Sequence, residues 1–249
     1  MNNFIKLKEN ERIDDLEIND LKIIQNENGF CFGIDSILLS DFAKTIKAGT
    51  EILDLGTGTA ILPILLTAKT CARHIVGVEL QKDVAEMAKR SIKMNGLEDK
   101  IDIINEDIKN LTNILPINSY DAIVTNPPYM KLNTGLENES IEKLISRHEV
   151  KCTIGDIARV STKLLKDRGE IYMVHRPDRL MDIIECFRKY KLEIKNMRLV
   201  FPKTTKEANL VLIKAVKNAQ PFMRIQKPLY VYEANGEYTK EIKKIYNKN

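Results

Sequence analysis

Asn126-Pro127-Pro128-Tyr129 is the stretch whose residue types, in this order, most directly suggest a reaction. A planar amino nitrogen, on a base or in an amide, has its lone pair delocalised into a π system and is a poor nucleophile. Two acceptors placed on its two hydrogens draw it towards tetrahedral geometry and free the lone pair. The Asn126 side-chain carbonyl can be one acceptor. The Pro127 backbone carbonyl, held by two rigid rings, can be the other. Tyr129 offers a ring face for the planar group, a stack worth roughly 1–3 kcal/mol for a base. Positioning then supplies much of the acceleration. No strong general base is needed, because the proton becomes acidic once the nitrogen is alkylated. Asn126, Pro127, Pro128 and Tyr129 are the candidate catalytic residues.

A second constellation lies upstream in Asp54-Leu55-Gly56-Thr57-Gly58-Thr59-Ala60. A cofactor lying against a strand–helix turn needs close backbone approach and cheap positive φ, which Gly56 and Gly58 supply. Backbone N–H groups at the following helix start favour a carboxylate or phosphate. Nicotinamide and flavin enzymes use a similar turn. Asp54 tilts away from them: it can accept from the cationic amino group of an amino-acid moiety but would repel a pyrophosphate. Glu79 can hold two ribose hydroxyls, since a carboxylate accepts two hydrogen bonds side by side. Asp107 can accept from an adenine amino group, or can simply cap a helix. The candidate cofactor-binding set is Asp54, Gly56, Thr57, Gly58, Glu79, Leu80, Asp107 and Ile108, with Asn126 shared.

These residues need elements to position them. Hydrophobic patterning predicts strands over 51–55, 74–80, 101–105, 120–125, 170–175, 193–201 and 208–217, with a further extended piece at 229–233. Helices are expected from near Ala60 to the second strand, over 82–94, over about 153–166 with a stop at Gly169, and over 177–190. Alternation of this kind builds an α/β fold: a Rossmann-like, doubly wound, mostly parallel seven-stranded sheet. The last two strands follow one another without a helix, which implies an antiparallel edge strand. Before the core, Leu16/Ile18 and Leu21/Ile23 flank Asn19-Asp20 as a small hairpin, and a helix begins near Asp35-Ser36, both good N-caps. The organisation expected is one domain over 1–249, with 1–49 an extension and 50–249 the catalytic core. Ligands in such sheets bind at the carboxyl ends of the strands, where the strand order switches.

Bulk properties narrow the class. No apolar run approaches the roughly 20 residues that span a bilayer, and no signal-peptide core is present, so a cytoplasmic protein without membrane association is expected. Cys31, Cys71, Cys152 and Cys186 form no Cys-x-x-Cys pair, and with three histidines no zinc pattern appears. The cysteines read as reduced, mostly core residues, and no metal is expected. From Lys195 to Asn249 twelve Lys+Arg stand against four Asp+Glu, while the whole chain is only +4. That basic final part (Lys195, Arg198, Lys203, Lys206, Lys214, Lys217, Arg224, Lys227) suggests a polyanion such as nucleic acid.

Asp54-Leu-Gly-Thr-Gly-Thr, Glu79, Asp107 and Asn126-Pro-Pro-Tyr together resemble the class I S-adenosylmethionine-dependent methyltransferases that modify amino nitrogens. Two further segments narrow the likeness. Gly29-Phe30-Cys31-Phe32-Gly33-Ile34-Asp35-Ser36-Ile37-Leu38-Leu39 and Ser146-Arg147-His148-Glu149 are similar to segments of the bacterial tRNA1(Val) adenine-N6 methyltransferases. The resemblance implies S-adenosylmethionine as cofactor and tRNA1(Val) as partner, methylated on N6 of adenine 37 in the anticodon loop. It makes Phe30, Phe32, Tyr129, Arg147 and His148 the candidate substrate-binding residues. Met130 stands where the family often has Phe, and residues 131–144 match only loosely. That polar segment reads as a lid, mobile without RNA.

Three alternatives share parts of the pattern. A glutamine-amide protein methyltransferase uses the same four-residue motif, although such enzymes usually carry a helical N-terminal domain. Guanine-N2 methylation of ribosomal RNA poses the same electronic problem. A non-catalytic dinucleotide-binding module is opposed by Asp54 and by the proline motif.

Overall fold

The computed structural model describes residues 6–29, 33–128 and 152–247. An antiparallel hairpin, β1 (Glu11–Asp15) and β2 (Lys22–Asn26), precedes the main sheet. The sheet is built from β3 (Glu51–Leu55), β4 (His74–Glu79), β5 (Ile101–Asn105), β6 (Tyr120–Thr125), β7 (Leu165–His175), β8 (Leu192–Phe201) and β9 (Leu210–Lys217). Their order is β5-β4-β3-β6-β7-β9-β8. Two short strands, β10 (Arg224–Ile225) and β11 (Leu229–Tyr230), pair in parallel with β8 and bring the sheet to nine. From β5 to β7 every pairing is parallel. The chain winds outwards from β3 in both directions, so the β3/β6 boundary is the switch point.

Residues alternate between two cores along each central strand. Ile52 and Ile75 face the core that α1 (Ile34–Phe42), α2 (Ile61–Lys69) and α3 (Lys82–Met94) cover. Leu53, Leu55, Val76 and Val78 face the opposite core. There the cover comes from the short α4 (Leu111–Ile114), from α5 (Ile154–Leu164) and from α6 (Leu180–Lys189). Burial on both faces explains why these strands are nearly continuous apolar runs. A last helix, α7 (Lys240–Ile245), returns Ile242 and Ile245 to the α1–α3 core. Among the described residues no helix is long and apolar enough to cross a membrane.

Several expectations are corrected. The antiparallel strand is β9, and it lies inside the edge, paired with β7 on one side and β8 on the other. The reason is burial: β9 (LVLIKAVK) is apolar almost throughout and takes the interior position. The more polar β8 lies outside it, flanked by β10 and β11. The first hairpin strand ends before Leu16 and Ile18, and the second begins after Leu21 and includes Ile23; Asp15 pairs with Lys22 and Asp14 with Ile23. Leu16 and Ile18 are buried residues of the connecting loop, where anchoring in the core outweighs strand pairing. Helix α1 is capped by Gly33, with Asp35 and Ser36 inside its first turn.

Gly169 does not stop α5. The helix ends at Leu164 and the chain enters β7 at once. A Cβ on Gly169 would lie 2.9 Å from the Lys166 carbonyl oxygen, so this position needs glycine for close backbone approach within the strand. Among the described residues no cysteine is fully buried, although Cys152 and Cys186 pack against the core. Cys71 is exposed, Cys152 and Cys186 are half-buried, all three are free, and Cys31 lies outside the described residues.

Candidate active site

The carboxyl ends of β3, β4 and β6 open onto a cavity of about 580 Å³. The glycine turn forms one wall. Gly56 and Gly58 have φ of +77° and +57°, and Ala60 reaches +73° where a third glycine would sit. The Gly56 and Thr57 amides both donate to the Val78 carbonyl, at 3.0 and 2.9 Å, which clamps the turn onto β4. No neighbouring atom lies within 4 Å of a Cβ built on Gly56 or Gly58, so space stays open for a ligand against the backbone.

Glu79 is buried at the end of β4 and carries the turn. Its Oε2 accepts from the Gly58 amide at 3.0 Å and its Oε1 from the Gln81 amide at 2.8 Å. Each oxygen keeps a second lone pair beside the cavity it lines. The Asn105 side chain donates to the Glu79 and Leu80 carbonyls and ties the end of β5 to this corner. Asp107 is a cap as well as a cavity residue: its Oδ1 accepts from the Lys109 amide at 2.9 Å. Leu80 and Ile108 line the same wall.

Asp54 stands apart from this set. It is fully buried at the end of β3, outside the cavity lining; among the described residues neither carboxylate oxygen has a well-formed hydrogen bond, Thr57 being the nearest donor. Burial pushes its carboxyl up to about 7; Thr57 opposes the shift and the Glu79 charge adds to it. An orphaned buried carboxylate is costly unless a cation or donor comes to it. Together with the open glycine turn and the Glu79 lone pairs, it fits a cofactor that carries an ammonium group and a ribose.

Asn126 leaves β6 on the facing side. Thr125 just before it donates to the Leu55 carbonyl at 2.9 Å, which ties β6 to β3 at the switch point. The Asn126 amide donates through Nδ2 to Ser36 Oγ at 3.1 Å. Ser36 is buried in α1, so the extension before the core orients the Asn126 carboxamide. Among the described residues no donor reaches its Oδ1, and Asn126, Pro127 and Pro128 all line the cavity. Tyr129, Phe30, Phe32, Arg147, His148 and residues 131–144 lie outside the described residues.

Three residues of this region escaped the motifs. Ser36 lies ninety positions from Asn126, and nothing local ties the two. Arg176 and Asn209 line the cavity beside the prolines, at the end of β7 and just before β9. The rule that polar residues just past strand ends matter points to Arg176. Neighbouring His175 is buried, and burial pushes its imidazole down to about 4. Cys152, also at the cavity, is pushed up to about 12 by burial, so it is a thiol rather than a nucleophilic thiolate.

Comparison with known proteins agrees with this geometry. The family model of the methyltransferase small domain matches residues 33–198. The tRNA1(Val) (adenine(37)-N6)-methyltransferase of Haemophilus influenzae (strain PittEE) is 28% identical over 218 residues, covering 87% of this chain and 90% of that protein. The protein of the same name from Porphyromonas gingivalis (strain ATCC 33277) is 26% identical over 219 residues, covering 84% of each. Among solved structures, a predicted O-methyltransferase from Agrobacterium tumefaciens superposes with a TM-score of 0.69 at 20% identity, over 86% of this chain and 95% of that one. P. horikoshii TYW2, solved in complex with MeSAdo, superposes with a TM-score of 0.60 at 13% identity, over 85% and 73%. The family match spans the glycine turn, Glu79, Asp107 and the Asn126 motif, and with it the chain belongs to the methyltransferase small domain family.

Proposed function

We propose that this protein methylates the exocyclic N6 amino group of adenine 37 in tRNA1(Val), with S-adenosylmethionine as methyl donor. The observation that carries the reading is the Asn126 carboxamide. Ser36 takes one of its N–H groups, so its carbonyl is presented at the cavity that also contains the glycine turn and Glu79. The names of the curated relatives support the tRNA adenine as the substrate. The whole chain acts as one methyltransferase domain in this reading, with 50–249 its core and 1–49 an extension that reaches the site through α1.

When bound, the cofactor supplies an electrophilic sulfonium methyl. Asp54 would balance its ammonium group from beneath the turn, and Glu79 would accept from its ribose through the lone pairs not used by the Gly58 and Gln81 amides. Asp107, with Leu80 and Ile108 around it, receives the adenine. On the substrate side, Asn126 Oδ1 and the Pro127 carbonyl accept the two N6 hydrogens and free the lone pair. Tyr129 stacks on the flipped base, and Phe30, Phe32, Arg147 and His148 hold the nucleotide.

The test is mass mapping of modified nucleosides in tRNA from cells with and without the gene, alongside transfer of labelled methyl to unmodified tRNA1(Val) by the purified protein. N6-methyladenosine at position 37 should be lost without the gene and restored by the protein. If the tRNA accepts no methyl, the assignment is wrong, and transfer to a glutamine amide in its place would identify the protein-directed alternative.

A further inference from the structure

We propose that Arg176, with Asn209 beside it, forms a subsite for a backbone phosphate of the substrate nucleotide; the inference rests on the RNA reading of this same cavity. The sheet register brings the parts together. Thr125 pairs with Met173, so the chain leaves β6 for Asn126 and the prolines at the level where β7 runs on towards Arg176. On the other side of β7, His175 pairs with Val211, so Asn209 and Leu210 come up beside Arg176 as the chain enters β9. Arg176, Asn209, Pro127 and Pro128 all line the one cavity.

The backbone under both polar residues is fixed. The Arg176 amide donates to His175 Nδ1 at 2.8 Å, and the Asn209 amide donates to the Val200 carbonyl at 3.0 Å. Their side chains are not. Among the described residues neither the Arg176 guanidinium nor the Asn209 carboxamide has a partner, whereas nearby Arg179 is paired with Asp182 at 2.6 Å. A guanidinium that no described residue pairs, lining such a cavity, is suited to bidentate capture of a phosphate.

The charge layout of the cavity identifies the ligand. The cavity wall is otherwise acidic: Glu79, Asp107 and Asp35 line it, and Asp54 lies beneath the turn. Arg176 is the one cation among the described residues that line it, in a lining that includes Pro127 and Pro128. A neutral amide substrate has no use for a cation there, whereas a nucleotide whose base reaches Asn126 brings its phosphates to this cation. Lys203 and Lys206, with Glu207 next to them, lie on the β8–β9 connection that leads to Asn209.

Binding and methylation of an anticodon stem-loop carrying unmodified adenine 37 test this, with wild type, Arg176→Ala, Arg176→Lys and Asn209→Ala compared over a salt series. Arg176→Ala should weaken RNA binding roughly ten- to a hundred-fold and reduce the slope of log Kd against log salt by about 1. Its affinity for S-adenosylmethionine should stay within about two-fold of wild type on this reading. Arg176→Lys should restore the slope but only part of the affinity. Asn209→Ala should weaken binding without altering the slope. The subsite is overturned if wild type binds and methylates the RNA while Arg176→Ala keeps its affinity and slope, or if Arg176→Ala loses cofactor binding instead. If wild-type protein neither binds nor methylates the RNA, the functional reading has failed and the subsite falls with it.

Discussion

At the scale of single residues the chemistry divides between an acceptor and a buried acid. Asn126 is useful only while its carbonyl faces the substrate, and Ser36 Oγ at 3.1 Å fixes which end of the carboxamide does so. Asn126→Ala should abolish turnover while cofactor affinity survives. Ser36→Ala should lower kcat by roughly ten-fold, about the value of one hydrogen bond, with KM for RNA nearly unchanged. Steady-state kinetics beside a cofactor titration separate these outcomes; full activity in the first variant would remove Asn126 from the mechanism. Asp54 makes a pH prediction. Unfolded, it titrates near 3.8, and folded near 7, because burial disfavours its charge. Between those values the folded chain keeps a proton that the unfolded chain has lost, so stability falls as pH rises from 3.8 to about 7 and levels off above. Asp54→Asn should flatten that decline in melting temperature between pH 5 and 8 and weaken cofactor binding. The Asn126 motif was legible in sequence because its logic is local, within four adjacent residues. Ser36 and the isolation of Asp54 were not, because each depends on what the fold brings near.

Elements carry these residues, and the strands were legible where apolar runs end at turn signals. Helix α3 and strands β5 and β6 fall where the patterning placed them. Two glycines show why the rest was harder. Gly169 looked like a helix stop, yet it serves close backbone approach inside β7, a need that appears only with the register irregularity between Leu165 and Glu170. Gly77, in the middle of β4, drew no attention as a strand residue. A Cβ there would lie 2.8 Å from Thr57 Oγ1 and 2.8 Å from Ile103 Cδ1. Thr57 is buried in the cofactor turn, so it can make room only by moving towards the cavity that it lines. Gly77→Ala should therefore cost about 1–3 kcal/mol by overpacking and shift the turn. Thermal melts should show the loss, and a titration should show weaker cofactor binding. An unchanged cofactor affinity would mean that β4 does not set the turn's position.

Over the whole molecule, charge was the least legible property, because composition counts lysines without saying what they touch. The basic final part read as a polyanion surface, but the fold consumes several of its cations. Arg198 is paired with Glu241, and Lys214 with Glu170. Lys195 and Arg224 lie over the Phe222 ring. Lys217 is buried, with Nζ donating to Asn118 Oδ1 at 2.8 Å and to the Leu165 carbonyl at 2.7 Å. Burial lowers its pKa, with Asp167 opposing. It joins the end of β9 to the start of β7 and contributes to cohesion rather than to the surface field. Lys217→Ala should leave the Leu165 carbonyl unpaired and cost about 1–3 kcal/mol. It should leave RNA affinity and its salt slope as they are, because a cation already committed to a carbonyl and an amide releases no counterion from the RNA. Lys203→Ala with Lys206→Ala should do the reverse, leaving the melting temperature nearly unchanged and flattening the salt slope. Denaturation and salt-titration series on the two variants decide the matter: a Lys217 variant that loses RNA affinity at full stability would return the whole basic region to the substrate surface.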